Sequence, residues 1–69
     1  MDVKIFIKQK PAHLSGRKLK EILESFVGIH HAHVHLHRNL VEVVYNPEIT
    51  TLEKICHKME ELGLIVDRS

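Results

Sequence analysis

Four histidines, at positions 31, 33, 35 and 37, take every second place in the run His30-His31-Ala32-His33-Val34-His35-Leu36-His37. Side chains of an extended strand alternate between its two faces. This period of two predicts a strand with one row of imidazoles and an opposite row of Ala32, Val34 and Leu36. The apolar row suits a core, which leaves the histidine row facing water or a partner. Imidazole is the commonest metal-ligand side chain and titrates near neutral pH, so the row points to a metal- or proton-linked surface.

The rest of the chain divides between the same period and the helical one. Val3-Lys4-Ile5-Phe6-Ile7-Lys8 alternates as a strand with Val3, Ile5 and Ile7 inward, and Pro11 ends it. Ser15 is placed to cap a helix whose apolar residues Leu19, Ile22, Leu23 and Phe26 recur at helical spacing, with Gly28 as its stop. After the histidine strand come a tight connection at Arg38-Asn39 and a strand over Leu40–Tyr45. Asn46-Pro47 makes a turn. Thr50 with Glu53 reads as a capping box opening a second helix with Leu52, Ile55, Met59 and Leu62 inward, stopped by Gly63. Leu64–Asp67 is a short last strand. Strand, helix, strand, strand, helix, strand is the split βαβ order of the ferredoxin-like α+β fold. The expectation is a four-stranded antiparallel sheet with both helices on one face and the histidines on the other, in a single domain spanning residues 1–69.

Seven of the 69 residues are histidine, and their internal, interleaved placement is unlike a terminal tag. Cys56 is the single cysteine, so no internal disulfide can form. No apolar run approaches the roughly 20 residues of a membrane helix, and no signal-peptide pattern follows Met1, so a cytoplasmic location without membrane insertion is expected. Net charge is +1, with Lys4, Lys8, Lys10, Arg17, Lys18 and Lys20 crowded into the first 20 residues, an end able to steer an acidic partner or a phosphate.

Several stretches resemble the heavy-metal-associated domain of copper chaperones and of metal-transporting P-type ATPases. They are Gly28-Ile29, Val34-x-Leu36, Val43-Val44-Tyr45-Asn46-Pro47 leading to Thr51, and Ile55-x-x-x-Met59-Glu60-x-Leu62-Gly63-Leu64. The resemblance covers nearly the whole chain and implies the same ferredoxin-like fold and a role in metal handling, with a transporting ATPase or another domain of the same protein as partner. That family carries Met-x-Cys-x-x-Cys between its first strand and first helix, where two thiolates hold Cu(I). Here the corresponding segment is Lys10-Pro11-Ala12-His13-Leu14-Ser15, with Ala12 and Ser15 in place of the cysteines. Linear two-sulfur binding is therefore unavailable, and His13 offers one nitrogen at most.

Metal chemistry, if retained, moves to the histidine row. At a rise of about 3.3 Å per residue, His31 and His37 lie roughly 20 Å apart, so the four cannot share one ion. A neighbouring pair, about 6.6 Å apart at Cα, can converge. With a two-residue turn at Arg38-Asn39, His35 lies opposite Glu42, His33 opposite Val44 and His37 opposite Leu40. His33, His35 and Glu42 then form a partial site suited to borderline Zn²⁺, Ni²⁺, Co²⁺ or Cu²⁺. The candidate ligands are His31, His33, His35, His37, Glu42 and His13. The resembling fold has its second strand at the sheet edge, where a second copy can complete the site as a metal-bridged homodimer.

Other classes fit less well. Acylphosphatase-type hydrolysis on this fold uses an arginine and an asparagine, which Arg17 and Asn39 supply, but it also needs a glycine-bearing phosphate loop that is missing here; the chain is not expected to be an enzyme. Nucleic-acid binding on a sheet needs stacking aromatics, and Phe6 is the one good candidate. The reading that competes most directly is a degenerate relative that binds a protein and no metal, through the basic end or through the apolar residues Phe6, Val44 and Ile65 beside the histidines.

Overall fold

Period decides which residues of each element enter the core. The computed structural model describes residues 1–67. Strand β1 spans Asp2–Gln9, helix α1 Gly16–Glu24, strand β2 Ile29–His35, strand β3 Leu40–Tyr45, helix α2 Leu52–Glu61 and strand β4 Ile65–Asp67. All pairings are antiparallel and the sheet order is β2-β3-β1-β4, so β2 is an edge strand. The fold is the expected ferredoxin-like one.

Ile5 and Ile7 of β1, Ala32 of β2 and Val41 and Val43 of β3 are buried in one cluster with Leu19 and Leu23 of α1 and Ile55 and Met59 of α2. These strand residues share one face, so both helices cover that face. Each fully buried aliphatic contributes about 1.5–3 kcal/mol of transfer free energy. On the opposite face Phe6 and Ile65 remain 52% and 49% exposed, and Val44 is half-buried.

Three local expectations need correction. The cap of α2 is Thr51, whose side chain accepts from Lys54 N–H at 3.2 Å, while Thr50 is buried just before it. As a result the inward face of α2 is Ile55, Cys56 and Met59, and Leu52 is 39% exposed. The connection after β2 is four residues long, not two. Leu36–Arg38 form one 3-10 turn, Asn39 takes a left-handed φ of 52°, and β3 starts at Leu40. Leu36 is half-buried against the start of α1, where a side chain on Gly16 would meet its Cδ1 at 3.2 Å. Capture of this apolar residue ends the strand early. Asn39 tolerates the left-handed turn because its short polar side chain is among the few that do.

The predicted stops hold at both glycines. Gly28 and Gly63 have φ of 96° and 97°, and an added Cβ would lie 2.8 Å from Thr50 Cγ2 and from Pro11 Cγ, respectively.

Candidate metal site on the edge strand

Ala32 is fully buried, which turns His31 and His33 to the open face. The longer turn shifts the register by two residues from expectation. His31 lies opposite Val44, His33 opposite Glu42 and His35 opposite Leu40. A bulge between Ile29 and His31 leaves His30 as the extra residue of β2, and such bulges bend an edge strand and re-aim its side chains.

The imidazole row is unevenly spaced. His31 Nε2 and His33 Nε2 are 2.7 Å apart, with ring centroids separated by 4.2 Å and planes at 85°. The next separations, His33 to His35 and His35 to His37, are 6.3 and 6.4 Å. One Nε2 must donate and the other accept. Two nitrogens on one tetrahedral ion, each at about 2.0–2.1 Å from it, stand about 3.4 Å apart. Small rotations of two exposed rings reach that geometry, so this pair is the convergent one.

Behind the pair stands Glu24, from the last turn of α1. Its Oε2 lies 3.1 Å from His31 Nδ1 and accepts the Ala32 backbone N–H at 3.1 Å, with Lys20 Nζ at 3.8 Å. The amide hydrogen bond holds the Glu24 carboxyl below its usual range; partial burial opposes this, and the charges of Lys20 and His31 add to it. Glu24 is not among the ligands that the histidine pattern predicts. A signal was present, because a carboxylate at a helix C-terminus opposes the helix dipole, and Lys four residues before Glu is the weaker pairing order. A residue so placed for little local benefit points to a tertiary partner.

The remaining candidates are more scattered. His35 Nε2 approaches Glu42 Oε1 diagonally at 3.4 Å, although His33 is the residue directly across from Glu42. His37 lies in the 3-10 turn beyond the strand, and His13 is exposed in the β1–α1 loop. Among the described residues, no three His, Cys, Asp or Glu side chains stand in position to share one ion. The histidine pair brings two ring nitrogens together and no third donor.

The β1–α1 loop has no cysteine to offer Cu(I). Ser15 Oγ accepts Lys18 N–H at 3.1 Å as the cap of α1, and Ala12 offers only a methyl group. The Lys10 ammonium folds onto this loop and donates to the carbonyls of Pro11 and Leu14. A positive charge is thus already seated against the loop, which disfavours a second cation there.

The chain matches no protein-family model and no curated protein. Solved structures do match. A copper-binding domain from HMA7, a P-type ATPase, superposes with a TM-score of 0.84 at 20% identity, over 96% of this chain and 89% of that one. The CopZ metallochaperone gives 0.85 at 16% identity, over 97% and 100%. A copper form of a CopA variant from Bacillus subtilis gives 0.77 at 24% identity, over 96% and 87%. At these identities the likeness establishes the fold. Among the described residues, no helix is long and apolar enough to cross a membrane.

Proposed function

We propose that this chain is a metal-binding domain of the heavy-metal-associated kind that takes a borderline divalent ion, Zn²⁺, Ni²⁺, Co²⁺ or Cu²⁺, on its histidine strand. The observation that carries this reading is the 2.7 Å approach of His31 Nε2 to His33 Nε2. Ligands of borderline hardness suit these ions, whereas the soft two-thiolate chemistry of Cu(I) has no donors in the β1–α1 loop. As the ion enters, the proton on one Nε2 moves to the other nitrogen of that ring, and both Nε2 lone pairs become available. The likeness to copper-binding ATPase domains and metallochaperones supports a place in metal transport or homeostasis on the cytoplasmic side, with a transporting ATPase as partner.

Two imidazoles leave at least two coordination positions open. Water fills them in a monomer; a second copy, facing the first across the histidine row, fills them in a metal-bridged dimer. His35 with Glu42 is a second, weaker half-site on the same face, and His37 and His13 stay outside the primary ligand set.

A reading without metal is favoured by the exposed Phe6 and by an open groove of about 640 Å³ beside it, lined among others by Leu52, Cys56 and Val66. The two readings separate cleanly. Native mass spectra with one equivalent of Zn²⁺ or Ni²⁺ are expected to show stoichiometric uptake that disappears in the His31→Ala/His33→Ala variant. Size-exclusion chromatography with and without the ion then reports the dimer. Absence of uptake above a non-specific ladder favours the protein-binding reading.

A further inference from the structure

A lone pair offered by imidazole is useful to an ion only if the ring is held in the right tautomer. In most histidine sites a carboxylate or carbonyl behind the ring does this by accepting the N–H of the nitrogen that does not ligate. Glu24 stands in that position. Its Oε2 is 3.1 Å from His31 Nδ1, on the far side of the ring from the Nε2 that meets His33 at 2.7 Å. The same oxygen is anchored by the Ala32 amide at 3.1 Å, so the carboxylate is fixed to the backbone between the two histidines.

We propose that Glu24 is the positioning residue of the histidine pair, holding His31 as the Nδ1–H tautomer so that its Nε2 lone pair faces His33. The use of this pair for metal rests on the function proposed above; the tautomer does not, and can be read without any ion. The direction of donation follows. His33 donates Nε2–H and His31 accepts.

The test uses the whole chain at about pH 8, where imidazole is neutral. Long-range ¹H–¹⁵N spectra assign the tautomer of each histidine in the metal-free protein. His31 is expected as Nδ1–H and His33 as Nε2–H. In Glu24→Gln, which keeps an oxygen for the Ala32 amide but loses the charge, the His31 signals shift toward those of a free imidazole mixture. In the same variant Zn²⁺ or Ni²⁺ affinity falls about 10- to 100-fold while the fold, followed by circular dichroism, is unchanged. Glu61→Gln, which removes the carboxylate 3.6 Å from exposed His57 on α2, is the charge-matched control and changes neither readout at His31. His31 found as Nε2–H in the wild type overturns the assignment, as does a Glu24→Gln variant with wild-type tautomer and wild-type affinity. A wild type with the expected tautomer that takes up no ion upholds Glu24 as the positioning residue and defeats the metal reading alone.

Discussion

Thr50 and Gly28 touch each other, and each carries a cost the rest of the fold absorbs. Thr50 is 2% exposed, and its Oγ1 is buried with no hydrogen-bond partner among the described residues. A buried hydroxyl left unpaired costs about 1–3 kcal/mol, so Thr50→Val, which keeps the shape, is expected to stabilise the protein by about 1 kcal/mol in urea denaturation. A loss of stability would mean that the hydroxyl has an uncounted role. Gly28→Ala acts the other way. The left-handed φ and the approach of its Cβ to Thr50 together predict a loss of about 2–3 kcal/mol. Glu24 makes a pH signature. Its carboxyl is depressed in the folded state, so its contribution is complete above the ordinary value of 4.5 and is lost as pH falls through the lower folded value. The stability gap between wild type and Glu24→Gln should therefore narrow as pH falls below the ordinary value of 4.5. A gap independent of pH contradicts the ionised-carboxylate reading.

At the scale of elements, edge strand β2 is where local pattern and tertiary contact meet. Its outer side would invite a further strand, yet the Ala32 amide is already taken by Glu24, and the bulge at His30 breaks regular pairing. A second copy is therefore better received on the histidine face than along the strand edge. Helix α1 depends on Ser15, and Ser15→Ala is expected to cost about 1 kcal/mol in the same denaturation experiment. The elements themselves were legible because apolar residues switch cleanly between periods of two and of about 3.6 along the chain. Turn length was not legible. Arg38-Asn39 reads as a two-residue turn until Leu36 is seen packed beside Gly16, a contact between residues 20 apart. The longer turn places Glu42 opposite His33, where a two-residue turn would place it opposite His35. The cap of α2 slipped by one residue for a similar reason. Local pattern favours Thr50, which has Glu53 three residues on, and its burial beside Gly28 overrides that pattern in favour of Thr51. The convergence of His31 with His33, and the carboxylate behind it, likewise depended on a helix-to-strand contact that no periodicity encodes.

For the whole molecule, fold and chemistry part company. The backbone is similar to that of solved copper-binding domains, whereas the β1–α1 loop of this chain has no cysteine and carries the Lys10 ammonium. An ion that binds the folded chain alone stabilises it by about 2.7 kcal/mol at 100 times its dissociation constant. For a domain this small, each kcal/mol shifts Tm by about 4–8 °C. Zn²⁺ or Ni²⁺ should thus raise Tm measurably at pH 7.5 and much less at pH 5.5, since protonated imidazole does not ligate. The most direct test of the central claim is calorimetric titration of Zn²⁺ into the wild type and into His31→Ala/His33→Ala at pH 7.5. One saturable site is expected in the wild type, and its loss in the double variant. Equal binding by both proteins, or binding by neither, would contradict the claim.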